Sequence, residues 1–186
     1  GYMEGFKASS MSIIQKMSKT IDDFRNFFRP AKEKSDFALE QAVDETLNIM
    51  SPQLKNHYIS LNFNKDGKHI INAYQSELEQ AILIIISNAQ DALIGNNVKN
   101  PTIDIFVSSA GEKITLNIQD NAGGVPENIV DRIFEPYFTT KEQGKGTGIG
   151  LYMAKEIVER NMGGKLSIEN IAGGARFMIE LRISGN

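Results

Sequence analysis

An apolar run interrupted by one asparagine, AILIIISNAQDAL at 81–93, constrains this chain more than any other stretch. Leu78, Ile82, Ile85, Ala89 and Ala92 recur every three or four residues, the spacing of one buried helical face. Ser76 and Glu79 have the spacing of a capping box, so the predicted helix starts at Ser76, and Gly95-Asn96-Asn97 ends it. Asn88 falls inside this helix. A buried amide without partners costs about 1–3 kcal/mol. Its side chain therefore either caps or faces solvent, or offers its oxygen to a hard cation such as Mg2+.

Strand-like segments surround that helix. Residues 37–56 read as a short strand and then a helix, and YISLNFN and KHIINAY read as two strands of a hairpin around Asp66-Gly67. TIDIFVSS and KITLNIQD form a second pair joined by a glycine-containing turn, and KLSIEN and ARFMIEL close the chain as a third around Gly173-Gly174. Between the second and third pairs lie a loop-rich stretch from Asn121 to Gly146, with a short helical patch near Glu127–Arg132, and a helix over roughly Ile149 to Met162. Strands and helices do not alternate regularly, which predicts an α+β fold: one mixed sheet with helices on a single face.

Composition narrows the class. A net charge of −3 and a pI near 5.5 give no electrostatic case for nucleic acid. The absence of cysteine rules out disulfides, thiolate metal sites and cysteine nucleophiles. The longest apolar run, Ala81 to Ile86, is far shorter than the roughly 20 residues that span a bilayer. These features point to a cytosolic piece of a longer protein.

At the start, Ile14, Met17, Ile21, Phe24 and Phe28 form a two-heptad stripe that stops at Arg29-Pro30. The stripe fits an amphipathic helix packed on its own domain or half of a helical dimer interface. The polar AKEKSD that follows reads as a short linker or hinge.

Two further motifs carry chemistry. In DNAGGVP (120–126), an aspartate ends a strand and precedes Gly123-Gly124, so a carboxylate can accept a hydrogen bond while bare backbone lets a flat ligand approach. The same residues also make an ordinary turn. In GKGTGIGL (144–151), four of the chain's 16 glycines stand in eight positions at the start of a helix. Unpaired amides and the positive helix end there suit phosphate oxygens. The spacing is neither GxxxxGK[ST] nor a dinucleotide fingerprint.

In order and spacing, these motifs make the chain resemble the catalytic, ATP-binding domain of sensor histidine kinases, within the Bergerat-fold ATPase superfamily. ISNAQDAL is similar to that family's asparagine box, DNAGGVP to its first glycine box, FEPYFTTK to its phenylalanine box and GTGIGL to its second glycine box. The resemblance implies a two-layer sandwich of a mixed five-stranded sheet and about three helices over 31–186. Residues 1–30 would be the second helix of an incomplete dimerisation and phosphoacceptor domain.

Carried over by position, Asp120 would accept from the exocyclic amine of adenine, with Ala122, Gly124 and Val125 lining the base. Asn88 would hold Mg2+ beside the triphosphate, with Asp91 one turn further on. Gly146, Thr147, Gly148, Ile149, Gly150 and Leu151 would shape the lid and the helix start over the phosphates. Phe134 and Phe138 would anchor that lid, and Thr139, Thr140, Lys141 and Lys145 would face the phosphates. Gln143 to Gly146 would become ordered with nucleotide. The cofactors implied are ATP and Mg2+. The partners implied are the phosphoacceptor-histidine helix of the same kinase, indirectly a response-regulator receiver domain, and a second copy joined through the N-terminal helix. No nucleic acid is expected.

Some positions depart from the family pattern. Ile84 stands where the family often has a second asparagine, and where hydrolytic relatives such as DNA gyrase carry a water-activating glutamate. Ile84 cannot act as a base, which favours phosphoryl transfer over autonomous hydrolysis. Asp91, where some kinases have lysine, belongs to an Asn-Ala-x-x-Ala form shared with nitrogen-regulation-type kinases. Ala122 replaces the first glycine of DxGxG. Neither His57, at a helix end, nor His69, in a strand, sits in a phosphoacceptor context; both read as structural or exposed. The expected activity is transfer of the ATP γ-phosphoryl group to a histidine outside 1–186. An anti-sigma-type serine kinase and partner-switching module, and a nucleotide-binding scaffold without transfer, are the competing readings.

Overall fold

The computed structural model describes residues 33–141 and 146–184. The stripe from Ile14 to Phe28 and the stretch Gln143 to Lys145 lie outside the described residues, and so do the expectations placed on them.

The elements in chain order are β1 (Ser35–Ala38), α1 (Leu39–Asn56), β2 (Ser60–Asn64), β3 (Ile70–Ala73), α2 (Gln75–Gly95), β4 (Thr102–Ala110), β5 (Lys113–Asp120), α3 (Gly150–Lys155), β6 (Lys165–Ile171) and β7 (Gly174–Arg182). A 3-10 turn at Val130–Arg132 is what remains of the helical patch expected there. Beyond α3 the helix widens into a π-helical turn over Glu156–Asn161, so the predicted helix is present with a looser second half.

The sheet is the mixed five-stranded one expected, in the order β2-β4-β5-β7-β6. Period-two alternation sets its register: Ile105 lies opposite Ile118, Ile118 opposite Phe177, Leu116 opposite Ile179 and Ile114 opposite Leu181. All seven are buried on the face that meets the helices. The β2–β4 pair is parallel and needs a long crossover, which runs through β3 and α2.

That crossover overturns the expected hairpin around Asp66-Gly67. The turn is present, with Gly67 at φ +112°, but β3 pairs with β1 in a separate two-stranded sheet. Turn chemistry says where a chain reverses, not which edge the returning strand meets. Here the far end of the turn is taken by α1: His69 Nδ1 lies 2.6 Å from Glu40 Oε1, the His69 amide donates to Glu40 Oε2, and the Leu39 amide donates to the His69 carbonyl. His69 is thus structural, as expected, and His57 closes the end of α1.

α2 explains the apolar run. Leu78, Ala81, Ile82, Ile85, Ile86, Ala89 and Leu93 are all buried, because the helix packs against α1, α3 and the sheet at once. Ala92, expected on this face, is only partly covered, and Leu93 takes its place. The capping box does not form: the helix begins at Gln75 with Tyr74 as its cap and no side-chain capping bond. Glu79 Oε1 instead accepts from the Gln75 side-chain Nε2, 2.8 Å away. Among the described residues no helix is long and apolar enough to cross a membrane.

Candidate functional site

Asp120 is the last residue of β5, at the buried end of the sheet and only 7% exposed. Its Oδ1 accepts from the Ala122 amide at 2.8 Å and from the Ala175 amide at 3.4 Å. Oδ2 makes no hydrogen bond among the described residues and is left for a ligand. Burial pushes the carboxyl above its ordinary pKa, and the two backbone donors only partly oppose it. A buried carboxylate with one unused oxygen is a strong acceptor for an N–H donor that displaces the remaining water.

The loop after Asp120 is held from three sides. Asn96, the residue that caps α2, donates to the Ala122 carbonyl at 2.7 Å. Asn121 accepts from the Thr102 amide and donates to the Asn100 carbonyl, both at 2.8 Å. From the β6–β7 hairpin, Gly173 accepts from the Gly123 amide, and Asn170 bonds both backbone groups of Val125. None of Asn96, Asn121, Asn170 and Gly174 was assigned to this loop from the sequence, where Asn96 read only as a helix stop and Gly174 as a hairpin turn. For Asn121 and Asn170 the available signal was asparagine at the end of a strand, where it is disfavoured.

The glycines here have a packing reason of their own. Gly124 sits at φ +86°, and a Cβ there would come within 2.8 Å of Asn170 Oδ1. A Cβ on Gly174 would lie 1.7 Å from the Asp120 carbonyl oxygen, so the hairpin tip can press against the aspartate only as glycine. Ala122 replaces the usual glycine without strain: it is buried, and its backbone serves Asp120 and Asn96.

The phosphate-side residues start on α2. Asn88 is half-buried, and its Nδ2 donates to the Ile84 carbonyl one turn back, at 2.9 Å. That bond turns Oδ1 toward whatever lies beyond the helix. Ile84 packs beside the start of α3, 3.4 Å from where a Gly150 Cβ would stand. Asp91 and Lys141 form a short ion pair that ties the phenylalanine-box segment to α2 three residues after Asn88.

The segments flanking 142–145 lie against each other. A Cβ on Gly146 would come within 2.5 Å of Thr139 Oγ1, and one on Gly148, at φ +67°, within 2.4 Å of the Tyr137 carbonyl carbon. Thr139 Oγ1 accepts from the Lys141 amide, and Thr147 Oγ1 from the Ile149 amide. Thr140 is exposed beside them, and Leu151 is half-buried in the first turn of α3. Phe134 stacks edge-on against Phe177 with Lys155 over its ring, and Phe138 carries Arg132 over its face. Both phenylalanines pack against the core, as anchors of this segment should. Lys145 lies outside the described residues.

The Asn96 bond joins the helix carrying Asn88 directly to the loop carrying Asp120. Two concavities of about 190 and 390 Å³ open elsewhere, beside the ends of α1 and α2. None of the residues named for nucleotide binding lines either of them.

Asn88 fits the role of a magnesium ligand. Its oxygen is neutral, unbonded and partly exposed, and Mg2+ takes few protein ligands when phosphates and water complete its shell. Among the described residues no group of three or more His, Asp or Glu side chains is placed to hold a metal ion.

Known proteins share this fold. Residues 73–185 match the family described as histidine kinase-, DNA gyrase B-, and HSP90-like ATPase. The two-component sensor PprA of Pseudomonas aeruginosa is 33% identical over 160 residues, 84% of this chain and 17% of PprA. The sensor histidine kinase ZraS of Escherichia coli O157:H7 is 30% identical over 148 residues, 78% of this chain and 31% of ZraS. The chain therefore spans less than a third of either relative. Among solved structures, the nucleotide-free catalytic domain of the histidine kinase ThkA superposes with a TM-score of 0.72 at 27% identity, covering 81% of this chain and 96% of that domain. Full-length ShkA, solved with AMPPNP, shares the fold with a TM-score of 0.73 at 20% identity over 96% of this chain and 37% of its own. With the match over 73–185 and the sheet order in agreement, the chain belongs to the histidine kinase-, DNA gyrase B- and HSP90-like ATPases and carries the ATPase domain found in two-component sensor histidine kinases.

Proposed function

We propose that this domain binds ATP with Mg2+ and donates the γ-phosphoryl group to a histidine on a helical dimerisation domain of the same kinase. Asp120 Oδ2 accepts from the adenine amine, and the bare backbone of Gly123 and Gly124 leaves room for the ring. Asn88 Oδ1 would hold the ion, which when bound would neutralise phosphate charge. The backbone at Gly148–Leu151 and the cationic Lys141 and Lys145 face the phosphates. The histidine nitrogen forms its bond to the γ-phosphorus in line as the bond to the bridging oxygen breaks, and ADP leaves. Positioning and charge stabilisation dominate such transfers.

Ile84 supports transfer over hydrolysis. An apolar side chain against the start of α3 keeps a base from the place where hydrolytic relatives activate water. The N-terminal stripe pairs with a second copy, and the phosphohistidine passes its group to a receiver domain. The chain is the cytosolic portion of its sensor, in the nitrogen-regulation-type subclass that Asn88-Ala89 and Ala92 suggest.

The observation that carries this reading is the unused oxygen of a buried Asp120 on a loop tied by Asn96 to the helix of Asn88. The test is transfer of label from γ-labelled ATP to a histidine-bearing helical domain supplied in trans, with calorimetry of ATP with and without Mg2+. Acid-labile, base-stable label on the helical domain supports the proposal. Acid-stable phosphoserine would replace it with the serine-kinase reading, and tight binding with no transfer would leave a scaffold.

A further inference from the structure

We propose that Asn170 is a positioning residue for base recognition, acting through the backbone of Gly124 and Val125 without touching the nucleotide. The inference rests on the reading that the loop 120–126 receives the purine.

Asn170 lies one residue from the end of β6, exposed, with Ala175 opposite it on β7. That pairing uses only backbone groups, so the sheet does not require an asparagine. Yet both halves of the side-chain amide are engaged on a different loop. Oδ1 accepts from the Val125 amide at 2.8 Å, and Nδ2 donates to the Val125 carbonyl at 2.7 Å. The side chain thus imitates a neighbouring strand for one residue.

The loop it holds has little stiffness of its own. Gly123 and Gly124 are consecutive residues at φ +94° and +86°, a region only glycine enters freely, and each has many other conformations to lose. Apart from Asn170, the hairpin's bond to this pair is the Gly123 amide to the Gly173 carbonyl. Asn170 also occupies the space beside Gly124: its Oδ1 lies 2.8 Å from where a Cβ would stand. The two residues therefore fit as a pair, and the amide determines how far the Gly124 backbone stands from the ligand side.

A residue that sets this distance should affect recognition of the base more than the fold. The hydrogen-bonded pair is exposed, where water replaces such bonds at little net cost, so stability should change little. Loss of loop geometry should weaken ATP binding by about tenfold, roughly 1.4 kcal/mol. It should weaken GTP much less, because guanine never had the fit to lose.

The experiment compares the wild-type domain with Asn170→Ala and the isosteric Asn170→Asp. Mg-ATP and Mg-GTP affinities are measured by displacement of a fluorescent nucleotide, and hydrogen exchange is followed at the Val125 amide. Both variants should show the ATP loss and a narrowed ATP-to-GTP ratio. In Asn170→Ala the Val125 amide should exchange faster while β6 and β7 keep their protection. Should the alanine variant fail to fold, the aspartate variant decides alone, since it retains the acceptor but sets a carboxylate oxygen against the Val125 carbonyl.

The proposal is overturned if wild type binds ATP and the variants bind it equally well, or if ATP and GTP weaken by the same factor, which marks a merely structural role. A wild-type domain that binds no ATP overturns the base-recognition reading itself, a result that cannot be confused with the other two.

Discussion

The base side and the phosphate side of the site are built differently. Around Asp120 the loop is fastened by hydrogen bonds from three separate elements, through Asn96, Asn121 and Asn170, and the carboxylate is buried. On the other side Asn88 is half-buried, and Asp91, Thr139, Thr140 and Lys141 are exposed. Contact there is by close approach of backbone at Gly146 and Gly148, plus the exposed Lys141–Asp91 pair. On the proposed reading the base side is held in place before a ligand arrives, and the phosphate side, which relies on shape and charge, suits a substrate end that must be released after transfer.

The sharpest way to break this contrast is Gly174→Ala. Its methyl would collide with the Asp120 carbonyl, and backbone on backbone has nowhere to retreat. A loss of upwards of about 4 kcal/mol is expected, read as a collapse of the urea midpoint. A near-native midpoint would mean that the base side is not rigid.

Asp120→Asn tests the chemistry in place of the packing. Burial raises the carboxyl pKa in the folded state, so that state binds the proton more tightly than the unfolded chain does. The associated stability is present at acid pH and is lost as pH rises through the folded-state value. At neutral pH the ionised group is therefore a cost to folding. The asparagine variant should be at least as stable as wild type at pH 7, with the gap closing as pH falls below the ordinary carboxylate range. Its ATP affinity should nevertheless drop by about 100-fold, the scale of a lost hydrogen bond to a charged acceptor. A paired titration of melting temperature and ATP binding against pH checks both signs.

On the other side, Asn88→Ala removes only a bond to the Ile84 carbonyl, so stability should move by less than about 1 kcal/mol. The effect belongs in the metal dependence: the gain in ATP affinity on adding Mg2+ should shrink about tenfold, as seen by calorimetry. An unchanged gain would remove Asn88 from the metal's shell.

The smallest effect is expected from Lys141→Ala, because both partners of its ion pair are substantially exposed. Thermal stability should shift by no more than about 1 kcal/mol, and less in high salt. A larger loss, cancelled in Asp91→Asn, would show the phosphate side to be more firmly fastened than its exposure suggests.

Much of this architecture was readable in advance. The α2 stripe, the β4–β5 and β6–β7 hairpins and the Asp120, Asn88 and glycine positions follow from periodicity, turn residues and motif order. The misses are also instructive. The Asp66-Gly67 turn was real, but its strands separated because β1 and Glu40 took the returning segment. The Ser76 cap was lost because burial of Leu78 and Ile82 decided where the helix entered the core, with Tyr74 left at its edge.

By itself the sequence determined local geometry and chemical type: which segments could coil or extend, where backbone had to be bare, and that a carboxylate, an amide and glycines occur in that order. These depend on residues close together in the chain. Only the tertiary structure decided that Asn96 and Asn170 would hold one loop from opposite sides, that Gly174 would touch Asp120, and that Lys141 would meet Asp91. Such contacts join residues tens of positions apart, and the packing of α2 on the sheet selects them.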